Sequence, residues 1–569
     1  MTWRGRHIYL VGLPGAGKSA IGEELALLLS KNEYHFIDLD AEIEEQTGYI
    51  IPELFALENG EATFRRLESE VLRSLAEESF DHKPLVIATG GGTPLDPLNR
   101  QIMRGSGVVV WVDVTIRQAV KNVLSGILSG KQRPLLFSES IEELTQKLRV
   151  LHNERSGYYE QSTLHFALRN RGESEHTPAE LAGELLKALE QMSRHISLRP
   201  RFETLVARST FGDYSISIGS GSAASELVRT AVDRGVRRMV IVTDDTVSSL
   251  HSKKLQQQIV KETTRQPFSI HQITIESGEQ SKRAQTLFEI LNAFDELSLS
   301  RKSDLVVTFG GGVVSDLAGF AASIFKRGIP VIHVPTTLMA QVDAAIGGKT
   351  GIDFNSTKNL LGSFYPPIRV IVDPIFLKTL EKRELRSGLS EVLKYGLIGN
   401  AELWQQLSKS IRRLLRGLDP GYEILIRDSV KEKLRYTDDD ELERKSGSRE
   451  LLNFGHTFAH GFESATGFTQ LLHGEAVTLG MRAAAWLSMK EGLLSEEEWS
   501  EIEVTLGRLP VPSIECTVDS VILAMQRDKK NAAGKLRLVL LNRIGEAIIK
   551  EDIKPALVKE AIEFVLSVI

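Results

Sequence analysis

A strand, a glycine-rich turn, a Lys-Ser pair and a helix follow one another at the start of the chain. They read His7-Ile-Tyr-Leu-Val11, then Gly12-Leu-Pro-Gly15-Ala16-Gly17-Lys18-Ser19, then a helical pattern from Ala20 to Leu29. No other feature constrains the fold as much, because such a loop sits between a buried parallel strand and a helix N-terminus. Its backbone N–H groups wrap a β-phosphate, Lys18 neutralises β/γ charge, and the Ser19 hydroxyl ligates Mg²⁺. ATP carried with Mg²⁺ is therefore expected, whereas the motif leaves the acceptor open.

The next 140 or so residues carry the signal for the acceptor. Tyr34-His-Phe-Ile-Asp38-Leu-Asp40 reads as a strand ending in two carboxylates near the γ-phosphate, and Phe64-Arg65-Arg66-Leu-Glu68 lies on a helix. After strand Pro84–Thr89 come Gly90-Gly91-Gly92; Arg133-Pro134 falls in a loop and Arg155 on a later helix. A carboxylate at a strand tip can orient a hydroxyl, and arginines fork onto a small carboxylate. Singly, Arg65 or Arg155 reads as a surface charge; beside the P-loop each reads as a ligand. This set resembles shikimate kinase over most of residues 1–171, whereas gluconate and nucleoside-monophosphate kinases share only the loop. The resemblance implies shikimate contacts at Asp40, Arg65, Gly90, Gly91, Gly92 and Arg155. It implies a magnesium role for Ser19 and Asp38, directly or through water, and a lid closed by Arg133 over ATP. Asp40 would orient the 3-hydroxyl or accept its proton.

The chain has 569 residues, room for roughly three or four domains, with 42% apolar and 25% charged residues. A net charge of −6 gives no electrostatic argument for nucleic acid or an acidic membrane. The single cysteine, Cys516, excludes an intrachain disulfide and a thiolate cluster, so a metal falls to His and carboxylates. Met1 to His7 show no signal-peptide pattern, and no apolar run reaches the ~18 residues of a membrane span, so a cytoplasmic enzyme is expected.

Thr177-Pro178 opens an amphipathic helix to Met192, followed by a basic Pro-containing tail, so 172–201 is expected to be a helical linker. From 202 to 374, strands at Arg238–Asp244, Gln272–Glu276, Asp304–Phe309 and Pro330–Pro335 alternate with helices. That pattern predicts an open parallel sheet with a ligand crevice at its carboxyl ends. Gly310-Gly311-Gly312 would let a pyrophosphate approach a helix N-terminus, although a tight turn explains the triplet equally well. Asp244 and Glu279 could take ribose or adenine hydrogen bonds. Lys349 and Lys358 lie close to glycines and suggest a second anion site, against the alternative of solvated lysines.

Helical periodicity dominates from 375 to 569. His456 and His460 are four apart and share a helix face, and His473 follows after a Gly-containing break. These three histidines could hold a divalent cation, or be hydrogen-bonded core and cap residues. Glu391, among Leu, Val and Tyr, needs a partner and would complete a Glu/His/His site, with Lys394 on the same face. A strand-like Leu-Arg-Leu-Val-Leu-Leu follows Arg527-Asp-Lys529-Lys530.

Gly-Gly-Gly-Val-Val-Ser-Asp316, Pro335-Thr336-Thr337-Leu, Val-Asp343-Ala-Ala-Ile-Gly-Gly-Lys349-Thr, Lys358-Asn359-Leu-Leu-Gly, Glu391-Val-Leu-Lys394-Tyr-Gly, Leu-Asn453-Phe-Gly-His456 and Leu-His473-Gly-Glu together resemble 3-dehydroquinate synthase over 202–569. The resemblance implies zinc or cobalt at Glu391, His456 and His473, with His460 on the substrate side. It implies NAD at Asp244, Ser277, Gly278, Glu279, Gln280, Lys282, Gly311, Gly312, Asp316, Thr336, Thr337, Lys349, Lys358, Asn359, Phe376 and Thr379. Substrate contacts fall to Arg327, Asp343, Lys394, Lys433, Arg449, Asn453 and Lys529, with Asp343, Lys349, Lys394 and His460 catalytic. The stretch before Arg449 is longer than the family's, so Lys431 is the alternative to Lys433. The family closes 3-deoxy-D-arabino-heptulosonate 7-phosphate to 3-dehydroquinate, using NAD for hydride transfer and zinc as a Lewis acid. The whole chain then reads as α/β: a P-loop kinase domain with a parallel sheet, an NAD-binding α/β domain and an all-helical metal-binding domain. The resemblance also implies a homodimer through the synthase part, whereas a relative with a different ring substrate is the alternative.

Overall fold

A computed structural model describes residues 3, 5–32, 34–57, 59–78, 83–128, 140–168, 176–195, 202–263, 268–355, 357–416, 422–438, 440, 449–529 and 537–569. The chain separates into two compact units, 1–204 and 205–569. In the first, β1 (His7–Val11), β2 (His35–Asp38), β3 (Leu85–Ala88), β4 (Gly107–Asp113) and β5 (Leu164–Ala167) form a parallel sheet of order β2-β3-β1-β4-β5. Strands β1, β3 and β4 are buried along their whole length, as expected of a parallel sheet covered by helices on both faces. Alternation divides β1: Ile8 and Leu10 join one core with Ile21 and Leu25, while Tyr9 and Val11 join the other with Leu39 and Phe64.

Helix Pro178–His195 lies in the segment expected to be a linker. Its Ala182, Leu185, Leu189 and Met192 are buried in the same core as Ile21 and Leu25 of the P-loop helix Lys18–Leu28. Their spacing draws one apolar stripe along the helix. The basic tail that follows, 196–201, lies outside the described residues.

In the second unit the strands are β6 (Glu203–Ala207), β7 (Tyr214–Ile218), β8 (Arg238–Asp244), β9 (Ser269–Ile275), β10 (Asp304–Gly310), β11 (Val331–Pro335), β12 (Lys349–Phe354), β13 (Thr357–Phe364) and β14 (Arg369–Val372). Seven of them make a sheet of order β6-β7-β14-β11-β10-β8-β9, parallel from β7 to β9. The chain runs from β8 to β9 in one direction, then returns to the other side of β8 for β10, β11 and β14. This reversal between β8 and β10 opens a crevice at their carboxyl ends. Strands β12 and β13 pair as an antiparallel hairpin.

The remainder is mostly helical. Three helices, Lys382–Gly399, His456–Ala465 and His473–Lys490, carry Glu391 and the clustered histidines. The strand-like run noted in the sequence forms an antiparallel hairpin, β15 (Leu538–Arg543) with β16 (Glu546–Lys550). It is fastened to the helices where the Leu541 N–H donates to Ser488 Oγ at 3.0 Å. No helix among the described residues is long and apolar enough to cross a membrane.

Because Leu185 is fully buried against the P-loop helix, Leu185→Ala is expected to destabilise the first unit by about 2–5 kcal/mol. Chemical denaturation would check this, since a solvent-facing linker position would leave the midpoint unchanged.

Candidate active sites

In the first unit the loop after β1 turns through Gly12, Gly15 and Gly17, all at positive φ. A side chain at Gly15 would place a Cβ 2.5 Å from the Ala119 carbonyl oxygen, so the turn admits only glycine there. Lys18 is folded back, its Nζ donating to the Gly12 and Leu13 carbonyls at 2.9 and 3.0 Å. Ser19 Oγ donates to Asp38 Oδ2 at 2.5 Å, which pairs the two expected magnesium residues. Asp38 also caps helix Leu39–Thr47 by accepting from the Asp40 N–H.

The glycine triplet is where the expected acceptor residues meet. Asp40 Oδ1 lies 3.3 Å from where a Gly90 Cβ would stand, Arg155 Nη1 lies 3.4 Å from that of Gly91, and the Arg65 guanidinium occupies the space beside Gly92. Two buried residues brace this cluster. Glu68 takes Arg65 Nη1 at 2.8 Å and Thr93 Oγ1 at 2.5 Å, and Tyr159 donates its hydroxyl to the Gly91 carbonyl at 2.6 Å. Burial pushes the Tyr159 phenol up to about 12, against the pull of Arg155 and Arg65, so it stays a donor. Arg133 lies outside the described residues.

In the second unit Glu391, His456 and His473 present ligand atoms that all lie within 4.8 Å of one another. Close helix crossings bring them there. A Cβ at Gly455 would stand 2.7 Å from Met481 N, one at Gly480 would collide with the Gly455 carbonyl, and one at Gly474 with the Ser387 carbonyl. Glu391 Oε1 faces His456 Nε2 at 3.5 Å and His473 Nε2 at 3.8 Å. It is fully buried, and its Oε1 accepts no hydrogen bond among the described residues. Each imidazole uses its other nitrogen elsewhere: His456 Nδ1 lies 3.2 Å from the Phe454 carbonyl, and His473 Nδ1 lies 3.3 Å from Glu463 Oε1. That is how metal-binding histidines are held, with Nε2 left for the cation. Burial, with Lys394 and His473 adding to it, keeps His456 well below the usual imidazole range and so neutral. The donor set fits zinc or cobalt with one position open. His460 stands apart from the set: it is exposed, its ring 6.0 Å from that of His456.

Lys394 links this cluster to a second one. Its Nζ lies 2.5 Å from Glu391 Oε2, and its charge also bears on Asp343. Asp343 takes Lys433 Nζ at 2.7 Å and the Tyr395 hydroxyl at 2.7 Å. Burial works against the Asp343 carboxylate, yet Lys433 and Lys394 hold it far below the usual range. Arg449 approaches the same place: beside Gly347, the position of a Cβ would be 3.6 Å from Arg449 Nη2 and 3.8 Å from Lys433 Cε. Three buried cations, Lys394, Lys433 and Arg449, thus gather near Asp343 and Gly347, an arrangement suited to an anionic ligand. Asn453 and Lys349 are exposed nearby in the chain. Arg327 is also exposed, at positive φ, and no hydrogen bond or ion pair among the described residues ties it to Asp343 or its partners. The Lys529 side chain lies outside the described residues.

At the carboxyl ends of the sheet, Gly311 caps helix Gly312–Ile324, and its missing Cβ would touch Thr337 Cγ2 at 3.1 Å. Thr336 Oγ1 is buried without a hydrogen-bond partner among the described residues. Lys282 Nζ bonds Asp316 Oδ2 at 2.6 Å and the Asn359 side chain, with Glu279 within electrostatic reach. Asp244 accepts from the Val247 N–H at 2.8 Å. Ser277 bonds Asp245 and Thr246 through its N–H and Oγ, and Gln280 bonds back to the Ser277 carbonyl across Gly278 at positive φ. His251 joins Thr379 Oγ1 at 2.7 Å to the Phe376 ring, whose centroid is 5.1 Å away. Lys358 reaches the other way, to Glu463 Oε1 at 3.4 Å.

Sequence reasoning gave Glu463, Tyr395, Tyr159 and His251 no role. Glu463 lies seven residues after His456 on the same helix, so the periodicity that paired the histidines also pointed to it. Tyr159 lies four residues after Arg155 on one helix and so shared its face, whereas Tyr395 carried no comparable signal, because its partner Asp343 is distant in sequence.

The fold and sites define a P-loop nucleotide-binding unit followed by a dinucleotide-binding lobe with a three-ligand metal centre. Residues 272–387 and 388–531 match the families described as 3-dehydroquinate synthase N-terminal and C-terminal, and 14–190 match shikimate kinase. The 3-dehydroquinate synthase of Solibacter usitatus is 41% identical over 303 residues, covering 53% of this chain and 84% of its own. That of Paracoccus denitrificans is 38% identical over 361 residues, covering 61% and 95%. Among solved structures, 2-epi-5-epi-valiolone synthase from Streptomyces hygroscopicus, with NAD⁺ and Zn²⁺ bound, is 31% identical. It covers 64% of this chain and 99% of its own with a TM-score of 0.57. The chain belongs to the 3-dehydroquinate synthase family and carries a shikimate kinase domain ahead of its synthase part.

Removing one imidazole leaves a buried carboxylate with a single histidine, so His473→Ala is expected to lower bound zinc to a small fraction of one per chain. Elemental analysis of the purified protein checks it, and a full metal complement would remove His473 from the ligand set.

Proposed function

We propose that the chain catalyses two reactions of the shikimate pathway. Its first unit transfers the γ-phosphoryl group of ATP to the 3-hydroxyl of shikimate. Its second converts 3-deoxy-D-arabino-heptulosonate 7-phosphate to 3-dehydroquinate with loss of phosphate. The observation that carries this reading is Lys394, which touches Glu391 of the metal cluster and stands beside the Asp343–Lys433 pair. One ligand can therefore meet a cation and a basic anion pocket together.

In the kinase part, Lys18 exchanges the Gly12 and Leu13 carbonyls for β/γ-phosphate oxygens when ATP enters. Ser19 and Asp38 hold Mg²⁺ directly or through water, Arg65 and Arg155 fork onto the shikimate carboxylate, and Asp40 orients the hydroxyl. Arg133 belongs to the lid in this reading.

In the synthase part, Glu391, His456 and His473 hold the divalent cation. Asp244, Ser277, Glu279, Lys282, Gly311, Gly312, Asp316, Thr336, Thr337, Lys358 and Asn359 would hold the dinucleotide, with Phe376 and Thr379 beside them. When bound, NAD supplies reversible hydride removal and the cation supplies polarisation of the alcohol and ketone. Asp343, Lys394, Lys433 and Arg449 fix the phosphate, carboxylate and hydroxyls, and His460, Asn453, Lys349, Arg327 and Lys529 complete the substrate side. Holding the phosphate by fixed cations lets the substrate's own leaving group take up the proton, with no strong protein base required. A second reading, a cyclase that makes a different ring, draws on the valiolone synthase likeness at 31% identity. The 38–41% identity to relatives named 3-dehydroquinate synthase favours the first.

A cytoplasmic homodimer joined through the synthase part completes the proposal. Phe354, Leu360, Leu361 and Phe364 on the β12–β13 hairpin are exposed, and exposed apolar side chains of this kind suit a subunit interface. Light scattering is expected to give the mass of two chains, and a single-chain mass would reject the dimer.

Supplying each substrate separately tests the two activities. Lys18→Ala is expected to abolish formation of shikimate 3-phosphate while dehydroquinate forms at the wild-type rate. Loss of both would contradict independent catalysts.

A further inference from the structure

Glu463 Oε1 lies 3.3 Å from His473 Nδ1 and 3.4 Å from Lys358 Nζ. The carboxylate is 3% exposed, so its charge is met by these two partners rather than by solvent. Each partner belongs to a different part of the site. His473 is one of the three clustered ligands. Lys358 precedes Asn359 on β13, whose side chain bonds Lys282, which in turn pairs with Asp316 on the helix after the glycine triplet.

We infer that Glu463 is a positioning residue that couples cation binding to dinucleotide binding. The inference rests on the synthase activity proposed for the second unit. A dinucleotide phosphate or hydroxyl that draws Lys358 toward the crevice leaves Glu463 undivided for His473. It also removes a positive charge from beside the cation. Both effects tighten the cation. Conversely, a cation on His473 Nε2 strengthens the Nδ1–H as a donor to Glu463 and loosens the hold on Lys358, which frees it for the dinucleotide. The two directions agree in sign, as reciprocity between two sites demands.

Zinc titration of the metal-stripped full chain, against a competing chelator and with or without saturating NAD⁺, measures the coupling. Wild type is expected to bind zinc at least about fivefold tighter with NAD⁺. Glu463→Gln is expected to bind zinc about 10–100-fold more weakly and to lose the NAD⁺ response. Lys358→Gln is expected to keep wild-type or tighter zinc binding without NAD⁺ and yet to lose the response at NAD⁺ concentrations that a separate titration shows to saturate the variant, which neither a merely structural role nor lost NAD⁺ binding would produce. Should Glu463→Gln not fold, Lys358→Gln decides alone. Wild-type zinc affinity unmoved by NAD⁺, or a full response in either variant, overturns the inference. If the chain binds neither zinc nor NAD⁺, the synthase reading falls with it; if it binds both without coupling, only the inference falls.

Discussion

The synthase site depends on a carboxylate buried where three helices come within backbone contact. Glu391 is shut away from solvent, and a lone buried carboxylate costs several kcal/mol unless compensated. Lys394 compensates one oxygen, and the other is left facing two imidazole nitrogens. That geometry exists only because Gly455 and Gly480 let two helices touch, and Gly474 lets the second lie on the Ser387 carbonyl. Wider crossings would move His456 and His473 beyond the reach of a common cation.

Both units follow the same physical logic on different scaffolds. The side chains proposed to bind anions are held in place by protein partners, so less ordering would be needed on binding. Lys18 rests on loop carbonyls, Arg65 on Glu68, and Lys433 on Asp343. Each cation can change partner without entering bulk water. Glycines fall where a side chain would fill the space that these residues share with a ligand.

Local motifs were the most legible part of the chain. The P-loop and the histidine spacing each specify backbone shape and chemistry within a few residues. Yet β2 ends at Asp38, so that Asp40 stands on the first turn of the next helix rather than on the expected strand end. His460, likewise, falls outside the cluster that His456 and His473 form with Glu391. Glu391 could be linked to the histidines only because an acid among apolar residues demands a partner. The choice between His460 and Glu391 was not available from spacing, since the two histidines share a face while the carboxylate arrives from another helix. Helix Pro178–His195 read as a connector because its flanks are polar and Pro-containing; its apolar stripe, at 182, 185, 189 and 192, was visible, but what it packs against was not. The hairpin β15–β16 was half legible, as one strand-like run whose partner strand, β16, carried no strong signal of its own.

The helix that precedes the junction also bears on how the two catalysts can be separated. Because Leu185 and Leu189 share a core with Ile21 and Leu25, the floor beneath the nucleotide loop is completed by residues from the far end of the first unit. A kinase unit cut from this chain therefore needs the helix through His195. An engineered stop codon near residue 171 would strip the loop of its support while leaving every residue proposed to touch a ligand at that site in the product.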